Sequence, residues 1–153
     1  KKTTVHYYIS GMYMDRPVIS AQNNMADSDL PHTLFVEDNP DTRLLMSYLL
    51  SGSYNVAVAG RVDEALDLAE RNRFDFFLLD INLGEQRTGV DLLHLLRQKP
   101  EHANTPAIAL TAYALPGDRD NFLQAGFDAY LSKPFTPEDL QETIAAVLTA
   151  KKK

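Results

Sequence analysis

The 153 residues contain no cysteine. That excludes disulfide staples, zinc–thiolate centres and thiol nucleophiles. No apolar run approaches the roughly 20 residues of a membrane-spanning helix. The start lacks an apolar stretch followed by a cleavage site, so no signal peptide is evident. The expected compartment is the cytoplasm, with no membrane insertion of the chain itself; the alternative is a soluble part of a membrane-anchored protein. Positive charge is also short: the net charge is −6. This argues against the sequence-independent phosphate attraction that supports nucleic-acid binding. No glycine-rich loop follows the first predicted strand, which removes support for a dinucleotide-binding reading. There is no internal repeat, and the few residues after the last predicted helix are not expected to hold a second domain.

The remaining composition is that of an ordinary globular domain. Hydrophobic residues make up 44% and charged residues 24%, enough for one domain with its own core. The chain starts at Lys1 rather than Met, which suggests a fragment or processed chain, with Met25 as a candidate natural start. Residues 1–31 do not resemble the rest of the chain and are expected to be an N-terminal extension, a linker or a tag-derived segment. Residues 3–10 have the β-branched and aromatic composition of a strand, Gly11 and Pro17 interrupt the next stretch, and residues 22–29 are polar and linker-like. The alternative is an added edge strand or a contact with a neighbouring chain. His6 and His32 stand apart from other candidate metal ligands and are treated as ordinary.

From His32 onward the pattern alternates regularly. Strands are predicted at 33–36, 54–59, 74–80, 106–110 and 127–131. Helices follow each of them. The first starts at Asn39-Pro40, an N-cap followed by proline at the first helical position, with Leu44, Leu45, Tyr48 and Leu49 as its apolar stripe. The second carries Val62, Ala65, Leu66 and Ala69 at i, i+3, i+4 and i+7. The third spans about 89–98. The fourth, about 116–126, is weakly patterned. The fifth starts at Thr136-Pro137-Glu138-Asp139, with acids at the positive end of the helix dipole, and buries Leu140, Ile144, Val147 and Leu148. Residues 151–153 form a basic tail. Five strands alternating with five helices imply a doubly wound α/β fold with a parallel sheet covered on both faces.

Such a sheet brings all strand ends to one edge, where ligands of open α/β folds collect. Glu37 and Asp38 follow the first strand, Asp80 ends the third, Thr111 ends the fourth, and Lys133 follows the fifth. Each residue alone has a bland explanation as a loop, surface or strand-end residue; the joint placement is the signal. Crowded carboxylates repel one another and suit a hard dication bound through oxygen. A carboxylate can also act as a nucleophile and form an aspartyl-phosphate. Asp80 is the candidate phosphoacceptor, with Thr111 and Lys133 binding phosphoryl oxygens and Mg²⁺ as the metal, Mn²⁺ being an alternative.

Four blocks carry a resemblance: Val36-Glu37-Asp38-Asn39, Leu78-Leu79-Asp80-Ile81-Asn82, Leu110-Thr111-Ala112-Tyr113-Ala114 and Leu131-Ser132-Lys133-Pro134-Phe135. In order and approximate spacing they resemble the receiver domain of two-component response regulators, over about 33–148 within a domain expected at 32–150. The resemblance implies a flavodoxin-like five-stranded parallel sheet of order 2-1-3-4-5. It implies Asp80 as phosphoacceptor, Asp38 as the main acidic metal ligand, Glu37 binding through water, and the Asn82 backbone carbonyl as a further ligand. Lys133-Pro134 corresponds to a cis-proline site. Thr111 and Tyr130 correspond to switch positions, and Asn82 and Tyr113 to positions that tune the lifetime of the phosphorylated state. A histidine kinase or histidine phosphotransfer protein is the implied phosphodonor. The implied partner or homodimer face is made by the fourth helix, fifth strand and fifth helix. The Thr111–Ala114 run also resembles receivers of hybrid histidine kinases.

Two departures stand out. Leu83-Gly84 replaces the Met-Pro common after the phosphoacceptor, and the loop to Gly89 is about one residue longer than usual. The chain is read as a signalling phosphoacceptor rather than a turnover enzyme. An aspartate-nucleophile phosphatase of the haloacid dehalogenase type expects a second Asp two residues after the nucleophile, where this chain has Asn82. A degenerate receiver serving only as a binding module is disfavoured by the complete set Glu37, Asp38, Asp80, Thr111 and Lys133.

Overall fold

The structure is a computed structural model that describes residues 2–9, 12–19, 29–112 and 115–151, the first two segments as strands only. Those two strands, β1 (Lys2–Ile9) and β2 (Met12–Ile19), pair antiparallel from Lys2↔Ile19 to Ile9↔Met12. They form a two-stranded sheet of their own rather than an added edge of the main sheet. The expected strand near 3–10 is therefore present, and it pairs with a second strand that runs through Pro17, where the sequence predicts an interruption. The expected linker falls largely outside the described residues.

The main sheet contains β3 (His32–Val36), β4 (Asn55–Ala59), β5 (Phe76–Asp80), β6 (Ala107–Thr111) and β7 (Ala129–Ser132). All neighbours pair parallel, in the order β4-β3-β5-β6-β7. Counted within this sheet, that is the expected order 2-1-3-4-5. The helices are α1 (Pro40–Leu50), α2 (Val62–Arg71), α3 (Gly89–Arg97), α4 (Asp118–Gln124) and α5 (Pro137–Lys151), with a 3-10 turn at Pro100–His102.

β5 explains why this sheet forms. Alternate residues of a strand face opposite sides, and β5 is apolar on both. Phe77 and Leu79 enter one core with Val62, Ala65 and Ala69 of α2 and Leu92, Leu93 and Leu96 of α3. Phe76 and Leu78 enter the other with Met46 and Leu50 of α1 and Leu140, Ile144 and Val147 of α5. These four β5 side chains are fully buried, worth about 1.5–3 kcal/mol each relative to exposure. The strand is thereby fixed in the middle of the sheet, and with it the position of its last residue, Asp80.

Several boundaries differ from expectation for identifiable reasons. β5 starts at Phe76 because the Asp75 N–H donates to His32 O at 2.7 Å and its carboxylate accepts from His32 N at 2.8 Å, outside the ladder. β7 starts at Ala129, since the Phe127 N–H returns to Phe122 O and closes the end of α4. The α1 stripe is rotated: Leu44 is 63% exposed, while Leu45, Met46 and Leu50 are buried. α4 is shorter than expected, and none of its residues is fully buried. The α5 start matches expectation. The Asp139 N–H donates to Thr136 Oγ1 at 3.0 Å, and the Asp139 carboxylate accepts from Thr136 N at 3.1 Å.

Candidate functional site

The parallel ladder extends past the strand ends and fixes the residues there. The Glu37 N–H donates to Ala59 O at 3.0 Å, Ile81 N–H to Leu110 O at 2.9 Å, and Lys133 N–H to Thr111 O at 2.7 Å. Glu37 and Asp38 therefore leave β3, Asp80 ends β5, Thr111 ends β6 and Lys133 leaves β7 at one edge of the sheet. Asp80 pairs in register with Leu110, the residue before Thr111.

The carboxylates converge as the strand-end placement implies. Glu37, Asp38 and Asp80 each offer an oxygen within 4.8 Å of the others. Glu37 and Asp80 are buried, at 3% and 5% exposure, and Asp38 is exposed. Lys133 reaches into the cluster: its Nζ lies 2.8 Å from Glu37 Oε1 and 2.6 Å from Asp80 Oδ2. Partial burial works to lower the Lys133 pKa, but the hydrogen bonds to Asp80 and Glu37 outweigh it and hold the value above the ordinary lysine range. Lys133 thus stays an ammonium at neutral pH. Asp38 is shifted upward, first by its hydrogen bond with Glu37, then by desolvation and by the Glu37 charge. The upward shift reflects two neighbouring carboxyl groups that share a hydrogen bond. Three carboxylates with oxygens this close together fit a hard dication such as Mg²⁺.

Of the other predicted residues, Asn82 contacts this cluster directly. The Asn82 N–H donates to Asp80 Oδ1 at 3.0 Å, and Asn82 itself is exposed in the loop after β5. Thr111 is 5% exposed. Tyr130 is half-buried against the α2–α3 core, its ring 6.0 Å from that of Phe122. The Lys133–Pro134 bond is cis, as the resemblance implied. His32 bonds Asp75 and lies on β3 away from the acidic end. Tyr113 lies outside the described residues.

The structure adds residues that reading the sequence missed. Arg43 Nη1 donates to the carbonyls of Glu37 at 2.8 Å and Asp38 at 3.0 Å, pinning the acidic turn. A signal existed: an arginine in the first turn of a helix opposes the dipole and calls for a local acceptor. Gly89 lets α3 close against the site, since a Cβ there would meet Asp80 O at 2.3 Å. Gly84 has φ +67°, and a Cβ there would lie 2.8 Å from Asp38 Oδ2.

Comparison with known proteins agrees with this geometry. Residues 33–145 match the response regulator receiver domain family. The polar-differentiation response regulator DivK of Brucella anthropi is 35% identical over 116 residues, covering 75% of this chain and 94% of DivK. The chemotaxis protein CheY4 of Vibrio cholerae superposes with a TM-score of 0.72 at 30% identity, covering 77% of this chain and 98% of that one. The receiver domain of a Pseudomonas aeruginosa sensor histidine kinase gives a TM-score of 0.70 at 36% identity, covering 78% and 98%, and that structure holds a magnesium ion in its active-site cleft. With its flavodoxin-like sheet and its strand-end residues, this chain belongs to the response regulator receiver domains of two-component signalling.

Proposed function

We propose that Asp80 takes a phosphoryl group from a phosphohistidine of a histidine kinase or histidine phosphotransfer protein. The observation that carries this reading is the Lys133 ammonium lying between two buried carboxylates, Glu37 and Asp80. An Asp80 oxygen attacks phosphorus as the P–N bond breaks, and the electron pair leaves on the donor imidazole. Phosphoryl transfer asks the protein mainly for positioning and charge neutralisation. Lys133 exchanges its contact with Asp80 for one to a phosphoryl oxygen, and the Thr111 hydroxyl meets another. Asp38, Asp80, Glu37 through water and the Asn82 backbone carbonyl would hold Mg²⁺, or Mn²⁺ in its place. The metal supplies further positive charge at the phosphoryl oxygens. Hydrolysis of the acyl phosphate returns the carboxylate, so the domain is a self-regulating signalling phosphoacceptor rather than a turnover enzyme. Asn82 and Tyr113 tune that hydrolysis. Asn82, two residues after Asp80, speaks against a haloacid dehalogenase-type phosphatase, and the complete site set speaks against a binding module without chemistry.

The output follows from Thr111. Drawing its hydroxyl toward the phosphoryl group opens space behind it for Tyr130 to rotate inward. A coupling of about 1–3 kcal/mol suffices for such a switch, and the active arrangement is a minor state before phosphorylation. The absence of fully buried residues in α4 supports its role as the element that shifts. The partner or homodimer face is then α4, β7 and α5, in a cytoplasmic domain of residues 32–150 that contacts neither nucleic acid nor membrane. Incubation with acetyl phosphate tests the chemistry by intact mass. Wild type with Mg²⁺ should gain one phosphoryl group, and chelator or Asp80→Asn should abolish the gain. Equal labelling of Asp80→Asn would overturn the assignment.

A further inference from the structure

The loop between β5 and α3 reaches two places at once. At the acidic pocket, the Asn82 N–H donates to Asp80 Oδ1 at 3.0 Å and the Gly84 N–H to Asn82 Oδ1 at 3.2 Å. Gly84 packs so close to the Asp38 carboxylate that a Cβ would lie 2.8 Å from it. One residue on, the loop changes partner. The N-cap residue of α2, Arg61, makes no side-chain cap. The orphan N–H of Val62 donates instead to Glu85 Oε2 at 3.0 Å. Arg87 completes the contact, bonding Asp63 in the first turn of α2 at 2.9 Å and Glu85 Oε1 at 3.5 Å. The Glu85 side chain is only 17% exposed. A carboxylate at a helix N-terminus is favourable both as a hydrogen-bond acceptor and against the dipole.

We propose that Glu85 is a positioning residue: by capping α2 at Val62 from within the β5–α3 loop, it holds the Asn82–Gly84 stretch against the acidic pocket. The proposal rests on the Mg²⁺-dependent reading of that pocket. A loop without regular secondary structure has no ladder to fix it, so a distant hydrogen bond can decide where its backbone sits. Coupling between two sites is reciprocal. If Glu85 places the loop for the metal, then the metal must be felt at Val62. A cap that serves only helix stability would leave the Mg²⁺ affinity unchanged when Glu85 is replaced.

The test is Mg²⁺ titration of the full chain followed by amide NMR, on wild type, Glu85→Ala and Glu85→Gln. In wild type, the Val62 amide should shift with the same dissociation constant as Asn82 and Gly84. In Glu85→Ala, Mg²⁺ should bind about fivefold more weakly, below the roughly 10–100-fold typical of a direct outer-shell partner. Glu85→Gln keeps a carbonyl acceptor for the Val62 N–H and should recover most of the affinity. A Val62 amide that stays still while Asn82 and Gly84 shift would overturn the inference and leave the functional reading intact. Absence of Mg²⁺ binding by wild type would overturn both. Wild type against Glu85→Gln, which keeps an acceptor for the Val62 N–H, keeps the inference testable even if Glu85→Ala fails to fold.

Discussion

Replacing Lys133 with methionine keeps the length of the side chain and removes its charge. Glu37 and Asp80 are then left facing each other, at 3% and 5% exposure, with no ammonium between them. Removing one partner of a buried ion pair costs about 3–5 kcal/mol, whereas exposed pairs are worth about 0–1. The Lys133 side chain is 28% exposed, so water screens part of its interaction. The expected loss is about 2–3 kcal/mol, or about 5–10 °C in Tm for a chain of this size. The pH dependence has a definite sign. The folded-state pKa of Lys133 is raised, so its stabilisation is complete below the ordinary lysine value. It is lost as pH rises through the raised one. Wild type and Lys133→Met should therefore differ at neutral pH and converge under strongly alkaline conditions. Saturating Mg²⁺ should recover part of the loss, because a dication can take the place of the ammonium between the carboxylates. Urea denaturation in chelator and in Mg²⁺ measures both effects. A variant within about 0.5 kcal/mol of wild type in chelator, the range of ordinary surface changes, would refute the electrostatic argument.

Asp38→Asn should stabilise the metal-free protein at neutral pH while abolishing tight Mg²⁺ binding. The raised Asp38 pKa means that the folded state binds this proton more tightly than the unfolded chain. Stability therefore falls as pH rises from the ordinary carboxylate value through the raised one, and the advantage of the variant should vanish below that window; a constant advantage across pH would contradict the assigned cause. Gly84→Ala should lose roughly 1–2 kcal/mol, since alanine is strained at φ +67°. It should also weaken Mg²⁺ binding, because the new methyl presses on Asp38; unchanged stability and affinity by denaturation and calorimetry would contradict both effects.

The parts legible in the sequence were those with local causes. Asn39-Pro40 and Thr136-Pro137 mark their helix starts through caps a few residues long. The apolar run before Asp80 marks a strand buried on both faces, and that alone places Asp80 at the carboxyl edge. The alternation of elements then brings Glu37, Asp38, Thr111 and Lys133 to the same edge. The features that stayed hidden depend on distant partners. Leu44 fits an apolar stripe by spacing, but the sheet takes Met46 and Leu50 instead. Nothing near Val62 in the sequence announces that Glu85 caps it. Arg43 is the exception: its acceptors, the carbonyls of Glu37 and Asp38, lie only six and five residues away, and its place in the first turn of a helix was a local signal. The hairpin partner strand Met12–Ile19 contains Pro17, a residue that normally argues against a strand and is tolerated here in a two-stranded sheet where each strand has one open edge.

The most direct measurement is the identity of the phosphorylated residue. An acyl phosphate is reduced by borohydride to an alcohol, which turns a phosphorylated aspartate into homoserine. Wild type should be treated with acetyl phosphate and Mg²⁺, reduced, digested and sequenced by tandem mass spectrometry. Homoserine at position 80 alone, absent when Mg²⁺ is chelated, is the expected result. Homoserine at position 38 or elsewhere with position 80 unmodified would contradict the assignment of Asp80 as the phosphoacceptor.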